Sequence, residues 1–418
     1  MLLGTLRVLI LLSLFAVHQL LADDSTELEH KWSGLVDLRY TSTDSFESYP
    51  TGGVGKFRYS DGSGPSVAQA GVKYQLILDD WSFNWVGMAY LDDEKNKLGT
   101  TEAFVRYRGT PNESGYRQQV RIGFMYPQIS MENIATAWAS PYTLTYSTQN
   151  TWLGDEVRHV GLEWSLDRLG KNHNSDHDLN LTLSAFQYND PTGSLLAWHG
   201  WTQSSRQTLW GEQMPFPIPP ALLPGNMLET QAPVSDPFVE LDSDFGYHIK
   251  FDWHWKRTLK VRIGHYDNQA ADDIVKIGQY TWRTQFSHLG FEWRVASNTQ
   301  VIGQYMQGDT RMRVANDFDV VGLDFTNSFV MVTQRINKHR WTARYEQFNN
   351  EDFDDIWGDN NDDQGDAFTI SYQYRLDKGL YLAMEYNQIN SLRPSRQYQS
   401  RPIVASESQW HTGLRYFF

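Results

Sequence analysis

The chain has 418 residues, 36 Lys and Arg against 50 Asp and Glu for a formal net charge of -14, no cysteine and 16 tryptophans. Without cysteine there is no disulfide scaffold, thiolate metal site, iron–sulfur site or thiol nucleophile. The acidic balance argues against a non-specific nucleic-acid binder, which needs basic charge to neutralise phosphate. Aromatics are 14% of the residues although the mean hydropathy is -0.54, which is too aromatic for a disordered chain.

Residues 1–22 carry Arg7, the apolar run Val8–Val17 and Leu20-Leu21-Ala22, followed by Asp23-Asp24. This is the layout of a secretory signal peptide cut near Ala22, and the run is too short to cross about 30 Å of hydrocarbon. The mature chain is read as 23–418. Beyond the leader no apolar run reaches the 18 residues of a membrane-crossing helix.

From residue 31 onward the dominant pattern is alternation with period 2. It is clean in Leu179–Ala185, Tyr247–Trp255, Leu259–Ile263, Phe368–Leu376 and Trp410–Phe418, where apolar or aromatic residues occupy every second place. The predicted strands, in order, are 32–40, 67–78, 81–90, 100–108, 116–124, 157–167, 178–188, 245–255, 258–266, 281–294, 299–307, 319–335, 339–348, 366–376, 379–388 and 408–418. Most are near the 9–11 residues that cross a bilayer at a tilt, longer than the usual soluble strand, and their apolar faces carry aromatics near the ends. Connections after even-numbered strands are short, as at Asp79-Asp80 and Asp377-Lys378. Those after odd-numbered strands are mostly long: 41–66, 91–99, 125–156, 189–244, 267–280, 308–318, 349–365 and 389–407. Such a chain reads as all-β, a 16-stranded antiparallel transmembrane barrel with short periplasmic turns and long extracellular loops.

The last strand carries Trp410 and Tyr416 and ends at Phe418. A terminal aromatic on an amphipathic final strand resembles the membrane-insertion signal of Gram-negative outer-membrane barrels. Sixteen strands with a long third loop resemble the porins, and Ser140–Arg158 within that loop is loosely similar to the phosphate-selective porin group. The resemblance implies an outer-membrane location, contact with lipid and lipopolysaccharide, delivery by the barrel-assembly machinery, a homotrimer, and a third loop (125–156) folded inward to constrict the channel.

On the face opposite the apolar one, basic residues outnumber acids. They include Arg39, Arg106, Arg108, Arg121, Arg262, Arg283, Arg344, Arg375 and Arg415, against acids such as Asp37, Glu163, Asp252, Asp324 and Glu346. A basic wall favours anions. The expectation is passive diffusion of small hydrophilic solutes with a mild anion preference, set by an arginine ladder facing Glu132, Asp155 and Glu156 of the third loop. On that reading Arg415→Glu alters selectivity and leaves assembly intact. Two alternatives remain open. One is a substrate-selective sugar or phosphate channel; for a sugar, the stacking faces would come from Trp138, Tyr142, Tyr146 and Trp152 of the third loop with Trp198, Trp201 and Trp210 of the fourth. If those aromatics instead pack together, the barrel is plugged and structural or adhesive.

The Pro-rich stretch Met214–Pro224 lies in the fourth loop and reads as a rigid flap, extracellular or packed inward. The acidic segment 349–366 partly resembles a calcium loop, but its glycine is displaced and no closing Glu follows. It reads as a Ca2+ site or as a solvated loop bridged to lipopolysaccharide by divalent cations. No other cofactor is implied. No nucleophile motif is present: Ser287 and His288 are neighbours that point to opposite faces unless the phase slip before Leu289 is a bulge. The chain is therefore read as a non-enzyme.

Overall fold

The alternation resolves into strands that each pair with their chain neighbours, and the first also pairs with the last, so the sheet closes on itself. The computed structural model describes residues 28–91, 97–314 and 318–418; the leader read at 1–22 lies outside them. The barrel strands are β1 (Glu29–Thr43), β2 (Gly62–Leu78), β3 (Trp81–Leu91), β4 (Lys97–Arg108), β5 (Tyr116–Met125), β6 (His159–Arg168), β7 (His177–Gln187), β8 (Gly246–Trp255), β9 (Leu259–Asp267), β10 (Arg283–Ala296), β11 (Thr299–Val314), β12 (Phe318–Ile336), β13 (His339–Asp352), β14 (Asp363–Asp377), β15 (Leu380–Leu392) and β16 (Val404–Phe417). Hydrocarbon offers no partner to an open sheet edge, and closure leaves none.

The seam aligns Leu35 with Phe417, Asp37 with Arg415 and Thr43 with Gln409. Gly34 and Phe418 exchange backbone hydrogen bonds of 3.0 and 3.2 Å. A Cβ on Gly34 would lie 2.2 Å from the Phe418 ring, so only glycine lets the last aromatic lie flat across the first strand. The period of 2 sets the two faces: Trp410, Leu414 and Tyr416 are 56%, 43% and 43% exposed on the outside, and His411 and Arg415 are each 1% exposed on the inside. Outward aromatics pair across strands, Trp341 on Tyr372 at 4.4 Å, Trp32 on Tyr74 at 4.5 Å and Tyr386 on Trp410 at 4.7 Å. This belt is the surface of a barrel that lies in a bilayer.

One end of the barrel is trimmed to short turns. Leu78 faces Trp81 across Asp79-Asp80, and Ile336 faces His339 across Asn337-Lys338, with Asp79 and Asn337 at φ +49° and +55°. Those left-handed residues match the twist of the flanking strands. The other end carries loop 3 (126–158) and loop 4 (188–245), which hold the helices α1 (Thr148–Glu156) and α2 (Ser194–His199).

Three sequence expectations change. The connections expected at 91–99 and 308–318 are shorter, because β4 starts at Lys97, β11 runs to Val314 and β12 starts at Phe318. Register is unbroken through Ser287, His288 and Leu289, so there is no bulge; Ser287 faces out and His288 in. Arg283 and Asp324 face outward, whereas Phe286, Leu323 and Phe325 face inward and are buried. The rule that aromatics face lipid fails there because the lumen at that height holds an apolar core.

Ile370 sits mid-strand on the outer wall, 42% exposed. Ile370→Arg is expected to cost about 2–4 kcal/mol of barrel stability, and Leu414→Glu nearer the rim less. Denaturant titration of the folded barrel in lipid measures both; equal costs would displace the apolar belt from this position.

Candidate functional site

Loop 3 leaves β5 and travels round the inner wall, where side chains of successive strands hold its backbone. Arg262 on β9 donates to the carbonyls of Ile129 (3.3 Å) and Ser130 (3.2 Å), and Gln304 on β11 accepts from Met131 N (2.8 Å). Arg415 on β16 donates to Ser140 O (2.8 Å) and Thr143 O (2.9 Å), and Arg39 on β1 to Leu144 O (2.7 Å). Glu385 on β15 accepts from the amides of Leu144 and Thr145, and Glu346 on β13 from Thr148 N. The chain then enters α1, whose Ser147 cap accepts from Asn150 N at 3.3 Å. Every residue from Tyr142 to His159 is buried.

Loop 4 forms a second layer. Asn189 to Leu209 is buried throughout. Tyr146 N donates to Ser204 O (2.8 Å), Thr208 N to Gly154 O (3.2 Å) and Gln203 N to Lys56 O (2.8 Å). Glu156, at the end of α1, joins the layers: it accepts from Leu195 N (2.8 Å), Gly193 N (3.1 Å), Ser194 Oγ (3.2 Å) and Trp152 Nε1 (2.5 Å). Around these bonds lies an apolar core in which Trp152 meets Phe286 of β10, Phe325 of β12 and Trp201 at 5.4, 5.3 and 5.9 Å between ring centres. Trp198 meets Trp282 at 5.1 Å, and Trp138 stacks on Tyr126 at 4.2 Å. The loop aromatics therefore pack against each other and the wall. Trp210, 39% exposed at the margin, still meets Phe124 of the wall at 4.6 Å.

The predicted charged residues divide into two sets. In the first, each cation meets a carboxylate. Asp37 lies between Arg39 and Arg415, 2.7 Å from each; Arg344 bridges Glu132 (2.5 Å) and Glu346 (2.7 Å); Arg121 meets Glu163 (2.6 Å) and Arg262 meets Asp252 (2.7 Å). In the second, no carboxylate lies within salt-bridge distance among the described residues: Arg106 and Arg108 on β4 and Arg375 on β14, joined by Arg294, Arg335 and Arg340. All six lie towards the short-turn ends of their strands, below loop 3.

The expected ladder facing three loop acids is thus corrected. Glu132 meets Arg344, but Glu156 serves the amides of α2 and Asp155 is buried with its Oδ1 unpartnered. Arg415 is also not a free wall charge. Arg415→Glu would set a second carboxylate against Asp37 and release loop 3, so intact assembly is no longer expected. Sequence reasoning missed Lys56, paired with Asp363, as well as Arg206 with Glu212 and Arg396 with Glu407. It also missed Arg158, which donates to Thr101 O and Gly154 O and lies 4.8 Å from the Tyr126 ring centre and 4.7 Å from that of Phe238. These residues sit in loops or just outside a strand, where no periodicity assigns a side chain to a face.

The acidic segment 349–366 is tied into the fold. Asp363 holds Lys56, Asp359 accepts from Trp198 Nε1 (2.9 Å), and Asp352 accepts from the amides of Asp354 and Asn361. The segment is thus anchored at one side, while Glu351 and Asp355 stay exposed to solvent. Among the described residues three acids also converge in loop 4: Asp190, Glu240 and Asp242. Burial pushes Asp190 up to about 7, against bonds from the amides of Leu241 and Asp242.

No protein-family model matches the sequence, and no curated protein does. Comparison of the folds does find solved structures of similar architecture. The outer membrane channel DcaP of Acinetobacter baumannii superposes with a TM-score of 0.56 at 10% identity, over 94% of this chain and 97% of that one. The anion-selective porin from Comamonas acidovorans gives 0.54 at 10% identity, over 94% and 100%. OmpF of Salmonella typhi, in its complex with daunomycin, gives 0.52 at 12% identity, over 93% and 97%. The chain has the closed 16-stranded fold of the outer-membrane porins.

The hold on loop 3 makes two outcomes testable. Arg344→Met leaves Glu132 and Glu346 buried without their cation, a loss on the order of 3–5 kcal/mol. It should expose loop 3 to limited proteolysis while the strands stay folded; unchanged protease resistance would remove Arg344 as the clamp. Asp155 titrates in reach: burial pushes it up to about 8, Glu156 and Glu212 add to the rise, and Arg206 and Arg158 oppose it. The folded chain thus keeps a proton that the unfolded chain releases near pH 3.8, so this stabilisation is complete below about 4 and lost as pH rises through 8. Loop proteolysis should increase between pH 6 and 9, and Asp155→Asn should flatten that dependence.

Proposed function

We propose that the protein is a Gram-negative outer-membrane channel for passive diffusion of small hydrophilic solutes, leaning towards anions. The observation that carries this reading is the split between compensated and uncompensated luminal charge. Arg39, Arg262, Arg344 and Arg415, which hold loop 3, are neutralised by acids. Arg106, Arg108, Arg294, Arg335, Arg340 and Arg375 at the short-turn end have no ion-pair partner among the described residues. They outnumber Asp178 and Glu292, the wall acids there that also lack one. A basic cavity with low-dielectric walls concentrates anions.

The two loop layers make this a narrow channel. Their contact holds polar atoms without a protein partner, the Gln149 amide, Trp201 Nε1, Gln203 Oε1 and Asp155 Oδ1. Each such group costs about 1–3 kcal/mol when dry, and water entering between the layers relieves it. Separation of the layers is the route for solute. The fold supports a homotrimer seated among lipopolysaccharide and delivered by the assembly machinery, as its relatives are porins. The second reading is a plugged barrel of structural role, favoured by the unbroken burial of 142–159 and 189–209. The packed aromatics give no stacking track for a sugar.

Single-channel current across a planar bilayer under a KCl gradient separates the two. The channel reading expects stepwise conductance with an anion-leaning reversal potential. Arg106→Glu with Arg108→Glu should move that potential towards cations, more at 0.01 M than at 1 M salt, where screening shortens from about 30 to 3 Å. Silent folded protein that conducts once 194–209 is replaced by a short Gly–Ser linker would establish the plug instead.

A further inference from the structure

Beside the general vestibule field, three of its arginines share one pocket. Arg294 on β10, Arg335 on β12 and Arg340 on β13 line a cavity of about 320 Å³ together with Asn298, Gln300 and Thr333. Arg335 and Arg340 are directly opposite in the β12–β13 register, with their side chains on the same face. Like charges in that position repel. No carboxylate lines the cavity or lies within salt-bridge distance of the three guanidinium groups among the described residues. Glu292 on β10 stays outside it, engaged by Gln300 Nε2 at 3.0 Å.

The remaining contacts fix one arginine without neutralising it. Arg340 donates to Pro141 O of loop 3 and lies 5.7 Å from the centre of the Tyr142 ring. The pocket thus presents three cations and the side-chain amide of Asn298, at the point where loop 3 meets the short-turn side of the wall. Planar guanidinium groups pair with two oxygens of one anionic group at once.

We propose that this pocket is a binding site for a small anion bearing two or more oxyanion charges, a phosphate ester or a polycarboxylate. A single chloride neutralises one arginine of three, whereas a multivalent oxyanion bridges the opposed pair and reaches Arg294. The volume accommodates an organic anion larger than inorganic phosphate. Because Arg340 also holds loop 3 at Pro141, an occupant pulls on the same residue that sets the position of the loop.

The site deepens the anion-leaning reading, and its test keeps the two apart. Isothermal calorimetry on the folded full chain, in detergent at low salt, titrates pyrophosphate, citrate and chloride separately. Pyrophosphate or citrate should bind, and chloride should not saturate in the same range. The tighter of the two assigns phosphate or carboxylate as the source. Arg335→Gln, which removes the repulsion and need not disturb the loop contact, should weaken binding at least tenfold and leave the melting temperature equal or higher. Arg294→Gln, two strands away, should weaken it as well. Absence of pyrophosphate and citrate binding, or binding unchanged in both variants, overturns the site. Binding to a barrel that carries no current keeps the site and removes the channel reading.

Discussion

A charge taken out of water inside a barrel must meet another charge. The acids that answer the wall arginines here stand mostly on neighbouring strands, as Asp37, Glu163, Asp252 and Glu346 do, with Glu132 coming from loop 3. The carbonyls that take their remaining donors belong to that loop. Asp37 alone satisfies two arginines, and both then donate to loop 3 carbonyls. Removing the loop would leave Arg39, Arg344 and Arg415 partly unanswered in a low-dielectric cavity, and removing the arginines would leave carbonyls and Glu132 buried without donors. Wall and loop are therefore a single electrostatic unit, and the apolar contacts of Trp152 and Trp201 fill the space that this unit encloses.

The same constraint explains the distribution of free charge. Compensation thins out towards the short-turn end. Arg117 still meets Asp167 there at 2.7 Å, but Arg108 and Arg375 are exposed and Arg106 half-buried, with no ion-pair partner among the described residues. A net charge of -14 on the whole chain coexists with a basic vestibule because many of the acids lie in loops and short turns.

The fold was legible to a high degree. Strand number, closure and the alternation of short and long connections follow from hydropathy of period 2, which is imposed by lipid on one side and holds wherever the other side is wet. It misleads at Phe286, Leu323 and Phe325, where the inner side is apolar too, and Asp324 and Arg283 were placed on the wrong face for that reason. The site was legible in part. The arginines of the wall were found by phase, but their partners were not, since pairing between Arg344 and Glu132 spans a loop whose path no local pattern encodes. Asp155 and Glu156 are neighbouring carboxylates in the sequence, and only the arrival of α2 gives them different duties.

Asp37 and Arg415 are 378 residues apart in the chain. Their bond exists only when β1 and β16 have met. Arg415 reaches Ser140 and Thr143 from that same seam. The final fastening of loop 3 thus awaits circularisation of the sheet. An incomplete barrel has two raw edges, and segments of high sequence separation pair slowly. Strands away from the seam already grip loop 3 through Arg344 and Glu346, so closing the sheet adds the last turn of a hold that begins elsewhere on the wall.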